Sequence, residues 1–210
     1  MKLVMSKAEY SGKLIVFCGL DGSGKTTMIN RLNDYLSKKN QEVLLTKQPT
    51  QEMRKNHVFR AFQDTPNVCD YDYRALSLVA ASDRLQHNTS VIKPALKMGK
   101  IVISDRYFYS CLANLQARGY MNDMWIYDIA KNIICPDLSF FLDVDVETAI
   151  TRIRKRPEEK YNYIDLNLQY ELKKNYLNIA KSVNGIVVST NNKTVEESFS
   201  EIQKNVDNLF

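Results

Sequence analysis

The segment KLIVFCGLDGSGKTT, residues 13–27, constrains the fold of this chain more than any other part of it. An apolar run that suits a buried strand is followed by a glycine-rich stretch and then by a helical pattern. The glycine-rich stretch matches G-x-x-x-x-G-K-[ST] at every position. In such a loop, backbone N–H groups and a helix N-terminus converge on phosphate oxygens. The sequence therefore predicts a strand, a phosphate loop and a helix in direct succession.

Each kind of residue in the phosphate loop has an expected role. The residues expected to bind ATP are Gly19, Leu20, Asp21, Gly22, Ser23, Gly24, Lys25, Thr26 and Thr27. Lys25 would reach the β- and γ-phosphates as a catalytic cation. The hydroxyl of Thr26 would bind Mg²⁺, which keeps several waters and needs few protein ligands.

A carboxylate is expected beside this loop. The run IVISD ends on Asp105, and the two meet if the first and third strands are neighbours. An Asp in that position can hold a magnesium-bound water, although an Asp that ends a strand is often a helix cap. Thr26 and Asp105 are therefore the predicted Mg²⁺ residues.

Apolar runs and helical patterns alternate along the rest of the chain. Strands are predicted at 13–19, 42–46, 100–105, 138–144 and 185–189. Helices are predicted at 25–39, 53–62, 73–98, 107–117, 122–133, 146–155, 165–183 and 195–209. This order predicts an α/β fold in three layers, with a mainly parallel sheet of about five strands flanked by helices. Ligands bind at the carboxyl ends of such strands.

Composition excludes several classes of protein. Residues 1–210 fit one domain, with no repeat or linker to divide them. The net charge of +5 is small and the basic residues are scattered, so we expect no nucleic-acid partner. No run approaches the roughly 18 apolar residues of a membrane span, and the N-terminal segment lacks the apolar region of a secretory signal. We therefore expect a cytoplasmic protein that binds small anionic molecules, without a membrane partner.

Arginines near the later strands favour phosphoryl transfer over signalling. Arg84 lies in AASDRLQH, and Arg106 directly follows the acidic end of the third strand. Transfer to a small acceptor needs cations near both phosphate groups and a lid that excludes water. A switch GTPase would carry the guanine-reading N-K-x-D, and NNKT at 191–194 lacks its Asp.

The run RIRKR is the expected lid, near residues 152–160. It contains Arg152, Arg154 and Arg156 as candidate catalytic cations. On a helix end, Arg152 and Arg156 face one way and Arg154 nearly the other, so the three do not grip one phosphate together. The alternative interpretation is a solvated helix end whose charges complement the helix dipole.

The chain resembles the thymidylate kinases over nearly its whole length. The segments that carry the resemblance are FCGLDGSGKTT, TKQP, AASDRLQH, VISDRYFYS and FLDVDVETAITRIRKR. The resemblance implies the P-loop NTPase fold, ATP with Mg²⁺ as cofactors, and phosphorylation of a deoxynucleoside monophosphate, dTMP in the first place.

The resemblance also implies roles for individual residues. Asp21 would contact the 3′-hydroxyl of the acceptor sugar, Arg106 its phosphate and Arg84 its base. Arg60 is the candidate for a further phosphate-binding Arg. Gly22 stands where some members have a catalytic Arg, so the chain is similar to the members that supply this cation from the lid.

Two residues depart from the family pattern in the acceptor pocket. Ala80 replaces a Phe that stacks on thymine, and Leu115 replaces a Gln that often helps to read the base. A methyl group offers no stacking surface, a loss on the order of 1 kcal/mol or more. The candidates to rebuild that surface are Tyr71, Tyr73, Phe108 and Tyr109.

Two other functions stay open at this point. A deoxynucleoside kinase shares the phosphate loop and the lid but needs a general base near a 5′-hydroxyl, and Cys18 stands where a Glu would serve. A non-catalytic nucleotide-binding module would keep the loop and lose the acceptor chemistry. The helix predicted over 73–98 and the helix that follows Arg106 are candidates for a homodimer face.

Overall fold

The computed structural model describes residues 3–7, 9–64 and 71–210. Five strands form one sheet in the order β2-β3-β1-β4-β5. They are β1 (Lys13–Gly19), β2 (Val43–Lys47), β3 (Ile101–Asp105), β4 (Leu138–Asp143) and β5 (Ile186–Ser189). All four strand pairings are parallel, which confirms the predicted α/β sheet.

Helices connect the strands and cover both faces of the sheet. In the described part of the chain they are α1 (Lys25–Lys38), α2 (Gln51–Lys55), α3 (His57–Asp64), α4 (Tyr73–His87), α5 (Lys93–Lys97), α6 (Phe108–Ala117), α7 (Trp125–Ala130), α8 (Val146–Arg154), α9 (Leu166–Ser182) and α10 (Val195–Asp207). None of the helices within these described ranges is long and apolar enough to cross a bilayer.

The central strand β1 is buried on both faces. Leu14 and Val16 pack into one core with side chains of α6 and α9, whereas Phe17 packs into another with α1 and α10. Side chains of a strand alternate between the two faces of the sheet, so a strand covered on both sides must be apolar at nearly every position. This is why the run LIVF signals a central strand.

The strands β1 and β3 are neighbours, as the phosphate-loop hypothesis requires. Phe17 is the register partner of Asp105. The backbone N–H of Arg106 donates to the carbonyl oxygen of Phe17 at 2.8 Å. Asp105 therefore emerges beside the loop that follows β1.

The long, mostly helical stretch predicted over 73–98 is confirmed, but a π-helical turn interrupts its α-helical hydrogen bonding. The helix α4 ends at His87, a π-helical turn spans Asn88–Ile92, and α5 follows. Within that turn, the Oδ1 atom of Asn88 accepts hydrogen bonds from the hydroxyl of Tyr107 at 2.8 Å and from the N–H of Ile134 at 3.2 Å. A buried side-chain amide needs hydrogen-bond partners, and Asn88 finds them at the residue where the π-helical turn begins.

The helix predicted over 53–62 is divided at Asn56 into α2 and α3. The backbone of Asn56 is extended, and its side chain accepts a hydrogen bond from the N–H of Val58 at 2.9 Å. Asn side chains compete in this way with the helical backbone. The remaining differences are shifts of a few residues at the ends of elements.

Candidate active site

A cleft of about 760 Å³ opens at the carboxyl ends of β1 and β3. The phosphate loop forms one end of it, and α4 and α6 form the other. Its walls include side chains of α3, the segment between α8 and α9, and α9 itself. The position agrees with the rule for ligand sites in open parallel sheets.

The phosphate loop holds Lys25 in a buried position. Its Nζ atom donates to the carbonyl oxygens of Leu20 at 2.7 Å and Gly19 at 3.2 Å. Burial lowers the pKa of Lys25 to about 8, assisted by the positive charge of Arg106. Thr26 and Thr27 are exposed and line the cleft. The loop thus presents a buried cation and two hydroxyl groups to any phosphate.

Gly22 is packed against the helix that precedes the lid. Its φ of +77° lies in the left-handed region, and a Cβ at this position would collide with the carbonyl oxygen of Ala149 in α8. An Arg at position 22 is therefore excluded by the backbone of α8.

Arg106 joins three parts of the cleft. Its Nη2 atom donates to Asp21 Oδ1 at 2.7 Å, and its Nη1 atom donates to the hydroxyl of Tyr176 at 3.0 Å and to the carbonyl of Gly19 at 3.2 Å. The positive charge of Arg106 holds the pKa of the Asp21 carboxyl well below its usual range. The backbone of Arg106 has a φ of +68°, a costly conformation for a side chain of this size. Asp21 and Arg106, two of the four residues proposed from sequence for acceptor binding, are therefore in direct contact.

The two carboxylate oxygens of Asp105, which lines the cleft, lie in different environments. Its Oδ2 atom pairs with Lys47 Nζ at 3.0 Å, while the buried Oδ1 atom has no hydrogen-bond partner in the described ranges. Thr26 and Asp105 both line the cleft. Within those ranges, no group of three or more His, Cys, Asp or Glu residues surrounds a metal position. This donor set fits a cation such as Mg²⁺ that keeps most of its waters.

The three lid arginines point in different directions. Arg152 donates to the carbonyl oxygens of Gly22 at 3.2 Å and Thr190 at 2.9 Å. Arg154 donates to the carbonyl oxygens of Lys160 and Asn162, both at 2.7 Å. These two side chains hold backbone segments together.

Arg156 is the lid arginine that lines the cleft. Its Nη1 atom pairs with Glu159 Oε1 at 3.0 Å. The helix α8 ends at Arg154, so helical phase no longer sets the direction of Arg156. The expectation that Arg152 and Arg156 face the same way is therefore wrong.

The segment AASDRLQH fastens the β2–α2 loop to α4. The imidazole of His87 hydrogen-bonds to Thr46 Oγ1 at 2.8 Å and to Gln48 Nε2 at 3.0 Å. Asp83 accepts hydrogen bonds from the N–H of Thr50, at 3.1 Å, and from its hydroxyl. Arg84, between them, is buried, lines the cleft and donates to the carbonyl of Ala80 at 2.8 Å.

A further arginine, Arg54, reaches the cleft from the helix α2. Arg54 lines the cleft, whereas Arg60 lies on α3 with an exposed side chain, outside the set of described residues that line it. Burial and the charge of Arg106 lower the pKa of Arg54. Sequence reasoning missed Arg54. The signal was Thr50, an N-cap residue whose side chain accepts from Met53 N and starts the helix at Gln51.

Four aromatic residues were candidates for a stacking surface. Of these four, all within the described residues, Tyr73 alone lines the cleft. Phe108 and Tyr109 are buried in the core, and Tyr71 is exposed. Phe59 also lines the cleft and was missed.

Position 115 does not face the cleft. Leu115 is buried in the core, and its neighbour Asn114 lines the cleft instead. The side-chain amide that α6 presents to the cleft therefore stands one position before Leu115.

Comparisons with known proteins agree with this geometry. The thymidylate kinase family model matches residues 17–202. The probable thymidylate kinase of Pyrococcus horikoshii is 36% identical over 195 residues, covering 91% of this chain and 94% of that protein. The thymidylate kinase of Geobacillus sp. is 35% identical over 196 residues, covering 90% and 93%.

A solved structure has the same fold. The thymidylate kinase of Candida albicans superposes with a TM-score of 0.75 and covers 96% of this chain and 93% of its own. Its sequence identity is 24%, so this likeness concerns the fold.

Proposed function

The chain belongs to the thymidylate kinase family, and from that premise we propose that it transfers the γ-phosphoryl group of ATP to the phosphate of dTMP. It is thus a nucleoside monophosphate kinase, a transferase. The products are ADP and dTDP. The observation that carries the proposal is a single cleft with a phosphate loop at one end and Arg54, Arg84 and Arg106 toward the acceptor side.

We assign the donor triphosphate to the phosphate loop. Support comes from the buried ammonium group of Lys25 and the exposed hydroxyls of Thr26 and Thr27. Thr26 and the unpartnered Oδ1 atom of Asp105 would hold Mg²⁺ through its waters. When bound, this ion would neutralise charge on the β- and γ-phosphates.

We assign the acceptor to the side of the cleft bounded by Asp21 and Arg106. The ion pair between them keeps Asp21 ionised, so that it can accept a hydrogen bond from a sugar hydroxyl. Arg54 and Arg106 supply positive charge for the acceptor phosphate. Arg84 lies against the space for the base.

We propose Arg156 as the transition-state cation of the lid. Of the three candidate arginines, it is the one that lines the cleft, and its ion pair with Glu159 is partly exposed. Arg152 and Arg154 then act as positioning residues. The close contact between Gly22 and α8 supports this assignment, because it leaves no room for an Arg at position 22.

A nucleoside acceptor is disfavoured by the surroundings of Cys18. The thiol is fully buried, and burial raises its pKa to about 11. It therefore supplies no general base for a 5′-hydroxyl at neutral pH.

ADP production from Mg-ATP with dTMP, dUMP, dCMP or thymidine tests the proposed function. We expect turnover with dTMP and at least about a hundredfold less with thymidine, because thymidine carries no phosphate for Arg106. Equal turnover of thymidine would contradict the assignment of Arg106. Absence of turnover with every acceptor would contradict the proposed function and favour a non-catalytic nucleotide-binding module.

We further propose a cytoplasmic homodimer that binds nucleotides and no nucleic acid, as one domain with a lid near 152–160. Support for a dimer face on α4 comes from Leu78, which is 49% exposed. Analytical ultracentrifugation of the protein and of Leu78→Asp tests this, since the charge should yield monomers.

A further inference from the structure

The guanidinium of Arg106 is held by three acceptors that leave part of its donor fork free. Its Nη1 atom donates to the hydroxyl of Tyr176 and to the carbonyl oxygen of Gly19, and its Nη2 atom donates to Asp21. A guanidinium has five N–H donors in a planar fork. Among the described residues, these bonds use three of the donors. The others can meet a phosphate oxygen in the cleft that Arg106 lines.

Tyr176 differs from the other two acceptors of Arg106. Asp21 is exposed, and in the proposed assignment it also binds the acceptor sugar. The carbonyl oxygen of Gly19 is shared with Lys25, whose Nζ atom donates to it at 3.2 Å. The side chain of Tyr176 is only 4% exposed, and its hydroxyl lies 3.0 Å from Arg106. Tyr176 is therefore the acceptor for which neither the sugar nor the second cation competes.

The helix α9 keeps this hydroxyl at a fixed position beside the phosphate loop. The ring of Tyr176 belongs to the same buried core as Val16 of β1. One turn earlier in α9, Lys173 Nζ donates to Asp145 Oδ1 at 3.0 Å, just beyond the end of β4. Burial raises the pKa of Tyr176, so its hydroxyl stays neutral at pH 7. It orients Arg106 without cancelling the positive charge that a phosphate needs.

The backbone of Arg106 does not by itself determine where the guanidinium lies. The hydroxyl of Ser104 donates to the carbonyl oxygen of Arg106 at 2.7 Å, which helps to hold the backbone at its φ of +68°. A long side chain on a fixed backbone still has rotamer freedom, and fixing it costs up to about 2 kcal/mol. Contacts that immobilise the guanidinium before the ligand arrives remove this cost from binding.

We infer that Tyr176 is a positioning residue of the kinase reaction, whose hydroxyl holds the guanidinium of Arg106 toward the phosphate of the acceptor. The inference deepens the proposed function and rests on it, because it concerns the acceptor phosphate site of that reaction. The hydroxyl acts through Arg106. Its removal should therefore weaken the binding of phosphorylated acceptors and spare ligands that carry no phosphate.

The chain contains a matched control for Tyr176. Tyr109 in α6 is also buried, and its hydroxyl accepts a hydrogen bond from Ser139 Oγ at 3.3 Å. It stands outside the described residues that line the cleft. Tyr109→Phe therefore removes a buried, hydrogen-bonded hydroxyl, as Tyr176→Phe does, but leaves the contacts of Arg106 intact.

The first test compares the binding of dTMP and thymidine by calorimetry, without ATP, in the protein, Tyr176→Phe and Tyr109→Phe. In Tyr176→Phe we expect Kd for dTMP to rise about tenfold, the effect of losing a hydrogen bond to a charged group. Kd for thymidine should stay within about twofold, because thymidine has no phosphate for Arg106 to bind. Tyr109→Phe should leave both values within about twofold, since it removes no contact with the ligand site.

The second test uses steady-state kinetics with Mg-ATP and dTMP. Tyr176→Phe should raise KM for dTMP about tenfold and leave KM for ATP within about twofold. In an Arg106→Gln background, Tyr176→Phe should change KM for dTMP by less than about twofold, because the residue through which it acts is gone. A purely structural role would instead add its effect to that of Arg106→Gln.

Three outcomes would overturn the inference. Equal weakening of dTMP and thymidine would show that Tyr176→Phe loosens the cleft as a whole. An effect that persists in the Arg106→Gln background, or one that Tyr109→Phe reproduces, would separate Tyr176 from Arg106. Failure of the proposed function gives a different result, because the unsubstituted protein would then not phosphorylate dTMP, whereas the binding constants would still report on Tyr176.

Discussion

The two ends of the cleft are built in different ways. At the phosphate end, Lys25 contacts backbone carbonyls only five and six residues away in the sequence. At the end that α4 and α6 form, here called the base end, Arg118 contacts Tyr73, which lies 45 residues earlier in the sequence. The two residues belong to helices that pack side by side. The first arrangement follows from one short segment, and the second exists only when α4 and α6 are in place.

The difference separates chemistry from selectivity in this enzyme. A backbone cradle fixed by consecutive residues accepts any triphosphate of the right charge. In the proposed assignment the base end binds its ligand with side chains, so a single substitution at Ala80 would change what fits there. The predictions below test how far the two ends are independent, beginning with the largest effect.

Lys25→Ala should abolish most of the activity that depends on the phosphate loop. We expect kcat to fall by about a thousandfold, because the variant loses a preorganised cation beside the transferred group. Lys38→Ala, at the exposed end of the same helix, is the control. Steady-state rates with Mg-ATP and dTMP measure the effect, and a fall of less than tenfold would contradict the role of Lys25.

Arg156→Ala should lower kcat by about a hundredfold with little change in Tm, because it removes the cleft-facing cation. Arg154→Ala should instead release the lid backbone, which limited proteolysis near 159–162 would detect. If Arg154→Ala lowers kcat as much as Arg156→Ala while the lid stays protected, the two roles are exchanged.

Gly22→Ala should destabilise the contact between the phosphate loop and α8. We expect about 3 kcal/mol in urea unfolding, from the strained φ together with the collision with Ala149. Gly119→Ala has a similar positive φ with no atom within 4 Å of its Cβ, and should cost about 1 kcal/mol. Equal losses in the two variants would argue against the collision.

The pKa of Lys25, lowered to about 8 by burial, predicts a pH effect on ATP binding. The ammonium form exists below this value, so kcat/KM for ATP should fall about tenfold from about pH 7 to pH 9. Bound triphosphate favours the charged form, so kcat should change less over this range. A kcat/KM profile for ATP that is flat over this range would exclude the assignment.

Ala80→Phe should change only the base end. The added ring should lower KM for dTMP by about two- to tenfold through stacking. ATP kinetics provide the internal control. An unchanged KM for dTMP would mean that position 80 does not contact the base.

Much of the fold and part of the site followed from local patterns. The five strands, the order of the helices and the position of Asp105 beside the phosphate loop were predicted and are confirmed. The π-helical turn within the stretch 73–98 was not predicted, because the partners of Asn88 are Tyr107 and Ile134, which lie far from it in the sequence.

The sequence by itself determined the phosphate loop, because its strand, glycines, Lys25 and helix are consecutive and need only local backbone geometry. Only the tertiary structure decided which of several arginines face the cleft, with Arg156 and Arg54 inside and Arg60 exposed. It also decided that Asn114 lines the cleft while Leu115 is buried. These choices depend on where each helix ends and on which distant segment it packs against. Hydrophobic periodicity shows which face of a helix is buried, but not which segment covers that face.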